Sequence, residues 1–210
     1  MLAFFQGIQT GLLLCIMLGP IFFALIQTGV ETGMRAGMMV GLGVWISDIL
    51  FIVAVFFGVS LVMELMEWDG FMTIFGITGG ILLIAFGIGT LMTDPPPLPP
   101  PREKPAVIKA KTYLGFWIKG FLINTINPFT FFFWLSIMSL VVLGEHEDQN
   151  YAGAFFLGVM LAIIVTDILK VALAKHIRQY LTDRHLVWIR WLSGGALIVF
   201  GIGLMVKVFL

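Results

Sequence analysis

The stretch LLLCIMLGPIFFALI, residues 12–26, places a Gly-Pro pair in the middle of an apolar run. Such a run is typical of a membrane helix, but Pro20 removes a backbone donor and clashes with the preceding turn, which costs about 3 kcal/mol in a helix interior. Because the hydrocarbon core holds no water, the carbonyl that loses its partner has to be satisfied within the protein. The pair therefore predicts either a kink tolerated by neighbouring helices or a break that offers backbone groups to a ligand.

The composition of the chain is that of a membrane protein. Of its 210 residues, 60% are hydrophobic and only 11% are charged, whereas soluble domains carry about 25% charged residues. The net charge is zero and no segment forms a basic domain, so a nucleic-acid partner is not expected. The single cysteine, Cys15, cannot form an internal disulfide or a CxxC pair. A lipid bilayer is therefore the solvent that this chain predicts.

Six segments are long and apolar enough to span a membrane, since a transmembrane helix needs about 20 mostly apolar residues. They run roughly over residues 3–27, 36–63, 70–92, 114–143, 151–174 and 187–209. The N-terminus lacks the basic region of a cleaved signal peptide, so the first segment is expected to be retained as a span. The predicted fold is an all-α membrane protein with six transmembrane helices, of which helix 1 is broken at Gly19-Pro20 and helix 4 at Asn127-Pro128.

The basic residues predict the orientation, because lysine and arginine in short loops stay on the cytoplasmic side. Eleven of the twelve lie in or near the first, third and fifth loops, and these include Lys119 and Arg190 close to loop ends. The second and fourth loops are acidic instead. The prediction is that the three basic loops are cytoplasmic and that both termini are external.

Three landmarks occur in the same order in each half of the chain. ITGGILLIAFGIGTLM at 77–92 is similar to WLSGGALIVFGIGLMV at 191–206, and SDIL at 47–50 is similar to TDIL at 166–169. The third pair is Gly19-Pro20 with Asn127-Pro128. Chance likeness among glycine-rich apolar helices is the alternative explanation, and it is strongest for the FGIG element taken alone.

The repeat predicts the organisation of the chain. Because each half holds three spans, the second half has to enter the membrane from the opposite side, as in the inverted repeats of secondary transporters. We predict a first three-helix repeat at 1–93, a proline-rich cytoplasmic linker at 94–112 and a second three-helix repeat at 113–210. Together they would form one integral-membrane domain.

Two acidic residues, Asp48 and Asp167, lie at matched positions inside predicted spans. A charge at a helix centre costs about 2.5–3.5 kcal/mol on insertion scales, so an intramembrane acid is by default a proton or ion relay that faces the bundle interior. Lys170 follows Asp167 by three residues on the same helix face and offers it a structural partner instead. Asp48 has no basic neighbour in sequence and is the stronger candidate for proton coupling, although a protonated packing role is its alternative.

Polar and helix-breaking residues near the breaks and the acids are candidates for substrate binding. They are Gly19, Pro20, Ser47, Asn124, Asn127, Pro128 and Thr166. Freed carbonyls and half-helix ends bind charged substrate groups, so a substrate with both an ammonium and a carboxylate would use both kinds of end. The commoner role of such side chains is to satisfy a freed backbone group. The dispersed histidines predict no metal site, and the GIG elements, which follow no strand, predict no nucleotide site.

At these residues the chain resembles the LysE/RhtB family of bacterial amino-acid exporters. The likeness covers nearly the whole chain and rests on Gly19-Pro20, the G-x-R-x-G at Gly33–Gly37, Asp48 and Asn127-Pro128. It implies a secondary transporter, not an enzyme, that exports amino acids or related small amphoteric metabolites in exchange for protons, without a cofactor. It also implies a place in the bacterial plasma (inner) membrane. Phe129 stands where family members often have a lysine, which bears on substrate preference.

Other classes of function fit less well. A metal-cation exporter of the same superfamily is the alternative, since the two acids could ligate a hard cation. A membrane redox carrier needs two cysteines, and the single Cys15 nearly excludes it. A structural subunit without cargo would have no use for buried acids. Small transporters often dimerise, so a homodimer stays open.

Overall fold

The computed structural model describes residues 1–16, 19–67, 69–93, 110–127, 130–131, 133–134, 136–137 and 149–208, in some helical stretches by the backbone alone. Pro128 and most of the predicted linker at 94–112 lie outside the described residues. Seven helices have defined bounds: α1 Leu2–Ile16, α2 Pro20–Glu31, α3 Met34–Glu67, α4 Asp69–Met92, α5 Ala110–Thr125, α6 Gln149–Arg178 and α7 Asp183–Val208. The described residues between 130 and 137 are helical as well, and no strand occurs within the described ranges.

Three helices in the described part of the chain are long and apolar enough to cross a membrane. They are Met34–Ala54, Tyr151–Arg178 and Asp183–Lys207. Helices α1 and α2, which are bent by 76° relative to each other, are together long and apolar enough to cross the membrane if they count as one span. The chain is therefore an all-helical, multi-pass membrane protein, and the count of six spans stays a prediction.

Large apolar side chains lie on the outer surface, while two acids, Asp48 and Asp167, are buried. Leu157 and Val199 are 65% and 68% exposed, whereas Asp48 and Asp167 are 2% and 3% exposed. In water this distribution would be unfavourable, but acyl chains solvate leucine and valine while they cannot solvate a carboxylate. The outer surface thus suits lipid, and these two acids are held in the interior of the bundle.

Helix α1 ends at Ile16, and α2 begins with Pro20 in its first turn. Proline suits this position because a backbone N–H in the first turn would have no helical partner, so its absence costs nothing, and because the φ angle of proline is already helical. The preceding Gly19 is extended, with φ −117° and ψ −178°. At the other end of α2, Gly33 has a φ of 95°, a left-handed conformation that favours glycine and lets α3 start at Met34. In the second half, α5 ends at Thr125, two residues before Asn127.

Glycines allow three helix pairs to approach closely. A Cβ atom on Gly7 would overlap the Phe155 carbonyl oxygen, which brings α1 against α6. One on Gly120 would overlap the Val40 carbonyl oxygen, which brings α5 against α3. Small residues of this kind are how membrane helices pack without a hydrophobic driving force.

The third pair, α4 and α7, meets at two matched points. A Cβ on Gly80 would lie 2.8 Å from the Gly201 carbonyl oxygen, and one on Gly87 would lie 2.7 Å from that of Gly194. Residue numbers rise along one helix as they fall along the other, so the two helices run antiparallel at this contact.

A buried ion pair connects α2 to α7. Arg190 Nε and Nη2 donate to the two carboxylate oxygens of Glu31 at 2.6 and 2.8 Å. Arg190 Nη1 also donates to the hydroxyl of Thr93 at 2.6 Å and to its carbonyl oxygen, beyond the end of α4. Both charged residues are buried. With the Thr93 contacts, this bidentate pair holds α2, α7 and the end of α4 together, at the end of the molecule where α2 meets α3 and α6 meets α7.

Candidate functional site

A cavity of about 220 Å³ lies between the helices, with a mostly apolar wall into which several charged and amide side chains project. Its polar side chains come from α3, α5, α6 and the residues that follow α5: Asp48, Asn124, Asn127, Thr130, Asp167 and Lys170. Gly19 and Cys15 line it from the junction of α1 and α2, and Phe22, Ile163 and Phe200 are among its apolar wall. Pockets for drug-sized ligands typically measure about 300–1,000 Å³, so this cavity suits a small metabolite.

Asp48 is held by two donors on one oxygen. Asn124 Nδ2 donates to Asp48 Oδ1 at 2.8 Å, and Trp134 Nε1 donates to the same atom at 2.9 Å. Within the described ranges no donor reaches Oδ2 and no cation pairs with this carboxylate. Asp48 is therefore a buried acid with one oxygen left for a proton or for a cationic group of a ligand.

Asp167 is compensated more completely. Lys170 Nζ donates to Asp167 Oδ1 at 3.0 Å, and Trp45 Nε1 donates to Oδ2 at 3.1 Å. The pairing with Lys170 that the sequence spacing allows is thus present. Since Lys170 also lines the cavity, the lining carries two acids and one base. One negative charge is unbalanced when both acids are ionised.

A chain of amide and hydroxyl groups leads from the second predicted break to Asp48. Asn127 Nδ2 donates to Thr130 Oγ1 at 3.0 Å, and Thr130 Oγ1 donates to Asn124 Oδ1 at 3.0 Å. Asn124 in turn donates from its amide nitrogen, Nδ2, to the carboxylate of Asp48. This chain fixes the amide orientation of Asn124, because its oxygen accepts from Thr130 while its nitrogen points to the carboxylate.

The start of α2 opens on the same cavity. Gly19, Ile21 and Phe22 line it, and the N-cap residue of the helix, Gly19, has no side chain that could cap the first turn. The free N–H groups of a first turn carry a partial positive charge that favours a carboxylate. The cavity thus combines an acid without a counter-ion in the described ranges, a lysine and a helix N-terminus.

Five of the residues predicted from the sequence line this cavity, namely Gly19, Asp48, Asn124, Asn127 and Asp167. Pro20 is buried beside it but is not part of the lining. Ser47 instead shares a hydrogen bond of 2.8 Å with Thr125, and Thr166 donates to Cys15 Sγ at 2.9 Å. Pro128 lies outside the described residues.

The sequence pattern alone does not assign the two tryptophan donors or Thr130 to the hydrogen bonds around the acids. Trp45 lies three residues before Asp48, yet its indole reaches the other acid, Asp167. Trp134 lies in an aromatic run in which nothing local distinguishes it from its neighbours. Thr130 follows the Asn-Pro pair closely, and this position was the one available signal.

These features define a class of protein: an all-helical, multi-pass membrane protein with a small charged cavity enclosed between its helices. The sequence model of the LysE type translocator family matches residues 12–208. The chain therefore belongs to the LysE type translocator family. It is also 28% identical over 202 residues to Putative amino acid efflux protein YcgF of Bacillus subtilis (strain 168), which covers 94% of this chain and 92% of the relative. No solved structure matches the chain.

Proposed function

We propose that this protein is a secondary transporter that exports amino acids or related small amphoteric metabolites in exchange for protons. The observation that carries the proposal is Asp48, a buried acid without a cationic partner in the described ranges, on a cavity of metabolite size. Family membership and the name of the Bacillus subtilis relative support the amino-acid cargo.

The charges of the cavity suit a zwitterion. Asp48 Oδ2 would accept the ammonium group, and the first turn of α2 with Lys170 would receive the carboxylate. Gly19, Asn124 and Asn127 would contact the substrate from the cavity wall. An exporter of this kind alternates between loading Asp48 with a proton and loading it with the ammonium, because one carboxylate cannot hold both at once.

Four further residues would act on this site indirectly, by holding its helices in place. Pro20 and Pro128 would shape the two breaks. Ser47 ties α3 to α5 through Thr125, which keeps Asp48 against Asn124. Thr166 ties α6 to α1 through Cys15, which keeps Asp167 in the cavity wall.

The contacts between helices support the two inverted repeats at 1–93 and 113–210, joined by a linker at 94–112. The repeat aligns Gly80 with Gly194 and Gly87 with Gly201. Superposing each repeat on the other therefore maps the contact between Gly80 and Gly201 onto the contact between Gly194 and Gly87. Both are close approaches of the same kind. The same superposition maps the helix pair α3 and α5 onto the pair α6 and α1. Each of these pairs has a close glycine contact and a hydrogen bond made by a Ser or Thr hydroxyl.

The proposed topology has the basic loops in the cytoplasm and both termini outside, in the bacterial plasma membrane. Residues at the α2–α3 and α6–α7 junctions would then lie at the cytoplasmic end, together with the Glu31–Arg190 pair. Helix rearrangement at that end would open the cavity to cytoplasmic substrate.

Transport by purified protein in liposomes tests the function. A ¹⁴C-labelled mixture of the protein amino acids should accumulate when a pH gradient is imposed and should stop accumulating when a protonophore collapses the gradient. Empty liposomes are the control. Transport of Mn²⁺ or Mg²⁺ without transport of any amino acid would favour the metal-cation exporter instead and would overturn the proposal.

The single cysteine offers a built-in probe of the cavity. Cys15 is partly buried and lines the cavity, so a small methanethiosulfonate reagent that adds an ethylammonium group should inhibit most of the transport. Substrate should slow the reaction by occupying the same space. Cys15→Ser keeps an acceptor for the Thr166 hydroxyl, so it should transport at a rate close to wild type and be insensitive to the reagent. Complete labelling of Cys15 with unchanged transport would mean that this cavity is not on the substrate path.

A further inference from the structure

A second cavity, of about 360 Å³, lies at the basic end of the molecule. Its charged and amide side chains are Gln27, Glu31, Lys119 and Arg190, and its apolar wall includes Phe86 and Phe116. None of these residues lines the first cavity. Helix α2 runs along both cavities. Ile21 lines the first cavity and Glu31 lines the second, and the helical rise between these two residues is about 15 Å.

The lining of the second cavity carries an unbalanced positive charge. Glu31 is engaged on both carboxylate oxygens by Arg190, so these two charges cancel. Lys119 remains, and it donates no hydrogen bond to any residue in the described ranges. One lysine ammonium, half-buried in α5, is thus left for an anion.

The same cavity also has an amide oxygen without a donor. Gln27 Nε2 donates to Glu31 Oε1 at 3.2 Å, while Gln27 Oε1 is buried and has no partner among the described residues. Gln27 is 4% exposed, and a buried acceptor of this kind is unfavourable unless something supplies an N–H or O–H group. The cavity therefore offers a cation for an anion and an acceptor for a donor.

From these groups we infer that the second cavity is a recruitment site for the transported substrate, in which Lys119 binds its carboxylate and Gln27 accepts from its ammonium. The inference rests on the proposed function. The apolar cluster around Leu25 lies between the two cavities, with Phe86 and Phe200 packed against it from the second and first cavity walls. Substrate held at Lys119 would pass this cluster along α2 to reach Asp48.

Export kinetics in inside-out membrane vesicles test the inference, because the basic end should then face the medium. With the ¹⁴C-labelled amino-acid mixture as probe, Lys119→Met should raise the half-saturation concentration at least about tenfold, which corresponds to about 1.4 kcal/mol. The maximal rate should stay within about twofold of wild type, because recruitment affects binding rather than the transport step. Lys119→Arg should restore most of the affinity since it keeps the charge.

Lys175→Met is the matched control, since Lys175 is an exposed lysine at the same end of the molecule and lines neither cavity. It should leave both kinetic constants unchanged. An equal half-saturation concentration in Lys119→Met and wild type would overturn the recruitment site alone, whereas absence of amino-acid transport by wild type would overturn the proposed function and the site with it.

Two further outcomes contradict the recruitment site while transport itself persists. A fall in maximal rate at unchanged half-saturation would assign Lys119 to the conformational step. If the Lys119→Met effect disappears in liposomes of phosphatidylcholine alone, the anion at Lys119 is a lipid headgroup rather than the substrate carboxylate.

Discussion

Asp48→Asn is expected to abolish transport driven by a proton gradient while the protein still inserts and folds. Asparagine has nearly the same shape and keeps an oxygen that accepts from Asn124 and Trp134, so the packing around α3 should persist. It cannot take up or release a proton. Uptake of ¹⁴C-labelled amino acids into liposomes under an imposed pH gradient should therefore fall to the level of empty liposomes.

Asp183→Asn is the matched control for this experiment. Asp183 is an exposed acid at the start of α7 and lies on neither cavity. It should transport at the wild-type rate. Gradient-driven accumulation by Asp48→Asn at the wild-type rate would remove the proton role from Asp48, and Asp167 would be the remaining candidate.

Arg190→Gln is expected to produce the largest loss of stability. Removal of one partner from a buried ion pair costs about 3–5 kcal/mol, and Lys119 in the same cavity does not replace the two hydrogen bonds that Glu31 loses. Glu31 would then keep only the weak donor Gln27, and the links from α7 to α2 and to Thr93 would be lost. A protein of this size loses about 2–4 °C of melting temperature per kcal/mol, so the expected fall is at least about 6 °C in detergent.

Arg184→Gln provides the comparison for the thermal measurement. Arg184 lies on the same helix but is exposed, and an exposed charge contributes at most about 1 kcal/mol. The double variant Glu31→Gln with Arg190→Gln should regain part of the lost stability, because neither member of the buried pair is left without the other. Equal melting temperatures for Arg190→Gln and Arg184→Gln would show that the Glu31–Arg190 pair does not stabilise the fold.

Several elements of the fold could be read from the sequence with small errors. The predicted second span at 36–63 corresponds to α3 at Met34–Glu67, and the sixth at 187–209 corresponds to α7 at Asp183–Val208. These helices are long, continuous and apolar, so composition alone locates them. The fourth segment, 114–143, overlaps α5, which ends at Thr125 just before the predicted break at Asn127-Pro128, and residues 138–143 lie outside the described part of the chain.

The sequence does not predict what an individual lysine or arginine contacts in the folded protein. Lys119 and Arg190 lie near loop ends, and the positive-inside rule treats all such cations alike. The structure instead places Arg190 in a buried pair with Glu31, 159 positions away along the chain, and Lys119 on the wall of a cavity. A charge near a loop end can serve orientation and binding at once, and only its neighbours in space distinguish the two.

The sequence by itself determined the solvent, the helical class, the breaks to look for and the two acids, because each follows from composition or from residues close together in the chain. The tertiary structure decided which groups meet those acids. Trp134 reaches Asp48 across 86 positions, and Trp45 reaches Asp167 across 122. Such partners depend on how helices cross, and helix crossings are set by close glycine contacts between distant segments rather than by any local pattern.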